Sequence, residues 1–180
     1  MCIRDSNDTC EQLVGNSHIP LALRYFGGAG KSHMDKYGTT MKDFAKIRAK
    51  ASRHASKNPL ALFKKEVSEE EVLNSPIMWP GVMTRLMACP PTCGGAAAIL
   101  VSEKFAKKHH IDASVKILAQ SMTTDYESTF AEKDMMQLVG YDMTKEAARD
   151  VYLQTGVDVQ DVDVVELHDC FAHNELLTYE

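Results

Sequence analysis

A histidine and a cysteine two residues apart, His168 and Cys170, stand where an apolar stretch meets a helical pattern. The stretch DVDVVEL at residues 161–167 predicts a strand, and DCFAHNELLTYE at residues 169–180 predicts a helix. Open α/β sheets bind ligands at the carboxyl ends of their strands, which is where His168 would lie. A neutral imidazole there can donate a hydrogen bond to a substrate oxygen, and a neighbouring thiol can exchange a proton. Together the two side chains indicate an acyl-transfer site, in which an oxyanion donor lies beside an acid/base group.

The protonation of the Cys170 thiol depends on where the helix begins. Asp169 is a suitable N-cap residue, so the sequence predicts Cys170 in the first helical turn. The free N–H groups of that turn carry partial positive charge, which favours a thiolate and lowers the thiol pKa. The carboxylates of Glu166 and Asp169 act in the opposite direction. The sequence alone therefore leaves the direction of the pKa shift open.

Other interpretations of the same residues remain open. A histidine at a strand end is often a hydrogen-bonded structural group, and a cysteine at a helix start is often a small hydrophobic residue. Cys170 and His173 are three residues apart, so they would share one helical face and could be two zinc ligands. A structural zinc site needs about four ligands. We therefore expect no metal at this position.

Two further motifs suggest ligand sites but lack the partners those sites require. GGAGKS at residues 27–32 is similar to a phosphate-binding loop, but that motif needs a glycine where this chain has Tyr25. CPPTC at residues 89–93 contains two cysteines, and no second cysteine pair follows to complete a zinc site. We interpret the first motif as a turn into a helix and the second as small thiols beside a glycine turn.

Strands and helices alternate along the second half of the sequence, which predicts a layered α/β fold. Strands are predicted at residues 114–124 and 161–167. Residues 94–102 fit either a buried strand or the start of a buried helix, and we favour the strand. Helix boundaries are marked by Thr39 or Thr40, by a capping box of Ser68 and Glu71, by Ser102 as an N-cap and by Gly156 as a stop. A domain boundary is predicted near residue 111.

The composition excludes several classes of protein. Hydrophobic residues make up 44% and charged residues 25% of the 180, as in soluble globular proteins. The net charge of −5 argues against nucleic-acid binding, because phosphate contacts need a basic face. The longest apolar run, residues 93–101, is too short to span a bilayer, so we expect no stable membrane insertion. The polar start lacks the apolar region of a signal peptide, and scattered cysteines then indicate free thiols in a reducing compartment.

Three stretches of the chain resemble one protein family, in the order expected for it. They are GKSHMDKYGTTMKDFAKI at residues 30–47, CPPTCGGAAAILVSEKF at residues 89–105 and DVDVVELHDCFAHNELLTYE at residues 161–180. Each resembles the sterol carrier protein type of thiolase, a group also described as non-specific lipid-transfer protein or propanoyl-CoA C-acyltransferase. The HDCF tetrad is specific within the thiolase superfamily.

The resemblance implies a thiolase-like layered α/β fold of two similar halves, each with helices around a mixed sheet. Residues 26–111 would be the later part of the N-terminal thiolase domain, including a helical loop region over the substrate. Residues 112–180 would begin the C-terminal thiolase domain. Residues 1–25 are expected to be a non-native or poorly determined start, because the first six residues fit poorly with the rest of the chain.

The activity implied by the resemblance is that of an acyl-CoA acyltransferase. It would cleave 3-oxoacyl-CoA with coenzyme A, giving a shortened acyl-CoA plus acetyl-CoA or propanoyl-CoA, in the oxidation of fatty acids or sterol side chains. By position, His168 would polarise the thioester carbonyl, Cys170 would be the acid/base, and Phe171 would pack near the thioester and the pantetheine arm. Coenzyme A would be a substrate, with no further cofactor. The alternative is a non-catalytic thiolase-like protein that binds or transfers lipid or acyl-CoA.

Parts of the family's catalytic set have no match in the sequence. The acylated cysteine would lie upstream, and Cys10 lacks the small, glycine-rich surroundings expected of it. A further catalytic histidine would follow residue 180, where the predicted last helix has no C-cap. We therefore expect an internal fragment that is inactive alone. The resemblance also implies acyl-CoA, coenzyme A and sterols or other lipids as ligands, a homodimer in the full-length form, and a peroxisomal location in a eukaryote or a cytoplasmic one in a bacterium.

Overall fold

The computed structural model describes residues 3–180, with side-chain positions from residue 5; residues 1–2 of the expected non-native start lie outside the described residues. No helix in this range is long and apolar enough to cross a membrane. The described elements are α1 (Ile3–Val14), α2 (Leu21–Tyr37), α3 (Met41–Ser56), α4 (Glu69–Leu73), β1 (Ile77–Trp79), β2 (Met83–Thr84), α5 (Glu103–Lys108), α6 (Ser128–Ala131), α7 (Met135–Leu138), α8 (Tyr141–Thr155) and α9 (Ala172–Thr178), with short 3-10 turns at Arg85–Met87 and Val159–Asp161.

Local capping signals set the helix boundaries. Thr40 precedes α3, and its N–H donates to the Asp43 carboxylate at 2.9 Å. Ser68 and Glu71 form the predicted capping box of α4: the Ser68 N–H donates to the Glu71 carboxylate at 2.8 Å, and the Glu71 N–H donates to the Ser68 hydroxyl at 3.1 Å. Gly156 ends α8 with a φ of 67°, a left-handed conformation that favours glycine. The helix boundaries predicted from these residues are confirmed.

The strands predicted at residues 94–102, 114–124 and 161–167 are wrong as paired elements. The backbone there is unpaired, and Asp161 belongs to a 3-10 turn. Apolar side chains of these segments are exposed, with Ile99 at 91%. A strand needs a neighbour to satisfy its N–H and C=O groups. Among the described residues the sheet consists of β1 and β2 alone, so these segments have no strand beside them.

The proline-rich residues 76–93 contain the β1–β2 hairpin. The two strands are antiparallel and pair Ile77 with Thr84. Gly81 lies in the turn with a φ of 73°. The Thr84 hydroxyl donates to the Val72 carbonyl at 2.7 Å, which ties the hairpin to the end of α4. The hairpin thereby places the following residues beside the start of α9.

Two hydrophobic clusters hold the helices together. The first core joins α3, α4, the hairpin and the start of α9, and it consists of Phe44, Ala45, Ile47, Val72, Val82, Met83, Met87, Phe171 and Ala172. The second core joins α1, α2, α7 and α9, and it consists of Cys10, Ala29, Met135, Met136, Leu138 and Leu177. Burial raises the pKa of the Cys10 thiol, which keeps that side chain protonated and apolar within the second core.

A close approach between α2 and α9 fixes the helix that follows the HDC stretch. His173 is buried, and its Nε2 lies 3.0 Å from the Val82 carbonyl oxygen. Its ring also packs on Phe44 at a centroid distance of 4.1 Å. A methyl group at Gly30 would lie 2.1 Å from the His173 ring, so only glycine fits beneath it. Burial lowers the pKa of His173 to about 4, so the ring is neutral at pH 7 and Nε2 donates to Val82.

Candidate functional site

The backbone before α9 is held by a bridge to the segment after the hairpin. Phe171 pairs with Ala88 in an antiparallel bridge, and the Cys89 N–H donates to the Cys170 carbonyl at 2.9 Å. Phe171 is extended, with φ −141° and ψ 145°, and occupies the N-cap position of α9. The prediction of Asp169 as the N-cap is therefore wrong. The pairing with residues 88–89 keeps the chain extended past Cys170, so the helix begins later than the local pattern indicates.

A cavity of about 310 Å³, which we call the Cys170 cavity, opens beside this bridge. It lies between α3, the segment that follows the hairpin and the start of α9. Most of its wall is apolar, with Arg48, Asp169 and Glu175 as the ionisable side chains near the thiols. Its lining includes Ile47, Arg48, Ala51, Phe63, Leu86, Ala88, Cys89, Asp169, Cys170 and Glu175.

The thiol of Cys170 is half-buried and protonated at neutral pH. Burial, followed by the neighbouring Cys89 and then Asp169, raises the pKa of Cys170 to about 11, although hydrogen bonds from the backbone act in the opposite direction. Because the helix begins after Phe171, the thiol does not lie in the first helical turn. The pKa direction that the sequence left open is thus upward. A protonated thiol facing an apolar cavity can donate a proton to a group bound there.

His168 is not brought into the Cys170 cavity by the described residues: its side chain is exposed. Its backbone carbonyl accepts a hydrogen bond from the Asn174 side-chain amide at 2.9 Å. This bond ties the extended segment to the first turn of α9. It fixes the backbone of His168, whereas the imidazole stays accessible from solvent.

Phe171 lies in the first core and is 4% exposed. Its ring stacks on Phe26 of α2, with a centroid distance of 4.7 Å and an interplanar angle of 21°. The side chain therefore anchors the bridge to the first core. In the described part of the chain it does not contribute to the lining of the Cys170 cavity.

Two groups that the sequence did not single out shape the electrostatics of the cavity. The guanidinium of Arg48 on α3 is half-buried; burial lowers its pKa, and the Asp169 carboxylate acts in the opposite direction. The buried Glu175 carboxylate accepts hydrogen bonds from Lys50 and from the Tyr179 hydroxyl. No local pattern marks Arg48, since α3 has the sequence of an ordinary amphipathic helix with a basic face.

A larger cavity of about 840 Å³ adjoins the first and shares several of its lining residues. Its wall is mainly apolar and includes Leu23, Val67, Met78 and Leu86, while Arg48 and Arg85 provide cationic groups. The volumes of the two cavities fall within the range of about 300–1,000 Å³ that is typical of small-molecule sites. The cations and the apolar wall suit a ligand with an anionic group and an aliphatic chain.

Comparisons with known proteins match this sequence to one superfamily. A model of the thiolase C-terminal domain-like family matches residues 124–180, which contain the HDCF stretch. Sterol carrier protein 2 of Oryctolagus cuniculus is 51% identical over 175 residues, covering 96% of this chain and 32% of that protein. Sterol carrier protein 2 of Homo sapiens is 49% identical, covering 92% of this chain and 30% of that protein. The benzoylsuccinyl-CoA thiolase subunit BbsB of Thauera aromatica is 36% identical, covering 82% of this chain and 37% of that protein.

The chain is homologous to proteins of the thiolase superfamily, and its residues 124–180 match the thiolase C-terminal domain-like family. It spans about a third of the length of the curated relatives it matches. The thiolase-like α/β class predicted from the resemblance is confirmed at this level, with a helix-rich structure and a small sheet. Its relatives by name include sterol carrier proteins, a non-specific lipid-transfer protein-like protein and thiolases.

Proposed function

We propose that this chain forms the acid/base side of the active site in a thiolase-type acyl-CoA acyltransferase. The reaction is the cleavage of 3-oxoacyl-CoA by coenzyme A, giving a shortened acyl-CoA plus acetyl-CoA or propanoyl-CoA. The single observation that carries the proposal is the protonated thiol of Cys170, facing a cavity of about 310 Å³ that adjoins a larger apolar one. Coenzyme A is a substrate in this scheme, and the chemistry uses no other cofactor.

The raised pKa of Cys170 suits the carbon–carbon cleavage step. When a nucleophile attacks the 3-oxo carbonyl, the two-carbon or three-carbon thioester leaves as an enolate, which needs a proton to become acetyl-CoA or propanoyl-CoA. A thiol that is protonated at neutral pH can supply that proton. The thiolate that remains then takes a proton from the incoming coenzyme A thiol, so the acid is restored in each cycle.

His168 is proposed as the group that polarises the thioester carbonyl, since a positioned N–H donor stabilises the negative charge that develops on oxygen. Its backbone is held by Asn174, and its exposed ring is free to contact a bound thioester. Phe171 supports the backbone of the site from the first core, and its contact with substrate stays a prediction. We propose that the nucleophilic cysteine and a second catalytic histidine come from other parts of the natural protein, so the chain alone is expected to be inactive.

The second candidate is a thiolase-like protein that binds or transfers lipid or acyl-CoA without catalysis. The specific observations that favour it are the mainly apolar cavity of about 840 Å³ and the names of the sterol carrier relatives. Acyl-CoA, sterols and other lipids are the ligands proposed under both candidates. A homodimer is proposed for the natural protein, with a peroxisomal location in a eukaryote or a cytoplasmic one in a bacterium.

Replacing His168 with Ala tests the proposed function. In the natural protein that carries this sequence, the turnover number for thiolysis of 3-oxoacyl-CoA is expected to fall by about 10²–10³, the usual effect of removing one oxyanion donor. The assay follows the loss of 3-oxoacyl-CoA in the presence of coenzyme A. His109→Ala is the matched control, because His109 is an exposed histidine at the end of α5, and full activity is expected.

Two outcomes would count against this account. Equal turnover in His168→Ala and in the wild type would remove His168 from the mechanism. A wild-type protein that binds acyl-CoA but shows no thiolysis would replace the enzyme proposal with the binding alternative.

A further inference from the structure

Two free cysteines, Cys89 and Cys170, lie on the two chain segments that the bridge beside the candidate site joins. Ala88 and Phe171 are the bridged pair, so one step along the antiparallel chains places Cys89 opposite Cys170. The hydrogen bond from the Cys89 N–H to the Cys170 carbonyl, at 2.9 Å, fixes this register. Both residues line the Cys170 cavity. Opposed side chains of an antiparallel pair point to the same face of the sheet.

The spacing of such a pair matches that of a disulfide. Opposed residues in antiparallel strands have Cα atoms about 4.5–5.5 Å apart. Disulfides span Cα distances of about 4.4–6.8 Å. The two thiols are also close enough to interact electrostatically, because the charge of Cys89 is one cause of the raised pKa of Cys170. The Cα spacing expected from this register therefore lies within the range that disulfides span.

We infer that Cys89 and Cys170 form a reversible disulfide under oxidising conditions. Cys89 is exposed, so it is the sulfur that an oxidant reaches more readily, whereas Cys170 is half-buried. This assignment of one exposed and one resolving thiol follows the general pattern of redox-sensitive cysteine pairs.

The oxidant is hydrogen peroxide, and the reaction balances in two steps. The Cys89 sulfur attacks one peroxide oxygen, the O–O bond breaks, and Cys89 becomes a sulfenic acid as one water leaves. The Cys170 sulfur then attacks the Cys89 sulfur, the S–O bond breaks, and the hydroxide takes the Cys170 proton to leave as a second water. The two sulfurs together lose two electrons, which reduce the peroxide. A dithiol such as dithiothreitol reverses the bond by exchange.

The consequence for catalysis rests on the proposed function. A disulfide at Cys170 has no S–H proton, so the acid of the cleavage step is lost while the bond persists. The same bond would also link covalently the two chain segments that line the Cys170 cavity on either side of the bridge. The site would then be switched off by oxidation and restored by thiols.

Peptide mapping of the oxidised natural protein tests the inference. The protein is treated with hydrogen peroxide, unreacted thiols are alkylated, and the digest is analysed by mass spectrometry without reduction. The expected product is a peptide pair joined through Cys89 and Cys170, with both thiols lost together and both recovered after dithiothreitol. Cys93→Ser is the matched control: Cys93 is exposed and four residues from Cys89, and the same linked pair is expected in that variant.

Cys89→Ser is expected to abolish the linked pair and to leave Cys170 open to alkylation after peroxide. The inference is overturned if Cys89 pairs with Cys93, or if Cys170 stays alkylatable while Cys89 is oxidised. The wild type and Cys93→Ser decide the matter even if Cys89→Ser folds poorly. The map reports the bond itself, so its result stands apart from any measurement of thiolysis.

Discussion

Replacing Cys170 with Ala is expected to lower the turnover number for the proposed thiolysis in the natural protein by about 10²–10⁴, the usual contribution of a positioned acid/base group. The reason is that alanine removes the proposed proton donor and leaves the rest of the cavity wall in place. Cys170 is half-buried, and the bridge next to it depends on backbone groups and on the Phe171 ring. We therefore expect the fold to persist, which circular dichroism and thermal unfolding can verify.

Cys93→Ala is the matched control for this measurement. Cys93 is an exposed thiol on the same segment as Cys89, and the described lining of the Cys170 cavity does not include it. Its replacement is expected to leave turnover unchanged. Cys170→Ser adds a finer comparison: a hydroxyl is a much weaker acid than a thiol, so activity near that of the alanine variant is expected. Normal thiolysis in Cys170→Ala would rule out this residue as the acid.

Replacing Phe44 with Ala is expected to lower the free energy of unfolding by about 3–5 kcal/mol, as for other large aromatic side chains in tight cores. Phe44 is 0% exposed and lies on the face of α3 that meets the first core. It also packs on His173 at a centroid distance of 4.1 Å, so its loss opens a cavity beside a buried, hydrogen-bonded ring. Urea unfolding of the 180-residue chain measures the effect.

Phe63→Ala serves as the control for the core substitution. Its ring is 54% exposed, so the expected loss is about 1 kcal/mol or less, as for surface positions in general. Equal losses for the two phenylalanines would contradict the position of the first core. A loss confined to Phe44→Ala would support the packing of α3 against α9, on which the position of the candidate site depends.

The helix boundaries could be predicted because their signals are local. A capping box needs two residues three apart, as Ser68 and Glu71 are, and one side chain suffices at Ser102, whose hydroxyl accepts from the Phe105 N–H at 3.2 Å. Gly156 stops α8 for an equally local reason, because its φ of 67° disfavours other residues. Each of these features is visible within a few residues of sequence.

The strands could not be predicted in the same way, because a strand exists through its partner. The run that contains Ile99 is apolar enough for a buried strand, yet it is unpaired and exposed in the described chain. At the end of the last predicted strand, a distant pairing partner likewise decides the structure, here by delaying the start of a helix. Asp169 is a good cap in isolation, but the bridge from Ala88 to Phe171 holds the chain extended and moves the start of α9. A distant contact thus overrides a local preference.

The candidate site was only partly predictable for the same reason. The types and spacing of His168 and Cys170 point to acyl-transfer chemistry within a short stretch of sequence. Cys89 and Arg48 reach the same cavity from a different loop and from α3, and the sequence gives no pairing rule that would connect them to Cys170. The rise in the pKa of Cys170 likewise comes mainly from burial, which depends on the packed fold.

The most direct test of the central claim is protection of Cys170 by substrate. The natural protein is alkylated at mildly alkaline pH, with and without saturating 3-oxoacyl-CoA, and the modified cysteines are quantified by mass spectrometry. We expect bound acyl-CoA to slow the alkylation of Cys170 in proportion to occupancy, while the exposed Cys93 reacts at an unchanged rate. Equal alkylation of Cys170 in the presence and absence of acyl-CoA would show that its cavity does not hold the thioester, and would contradict the account.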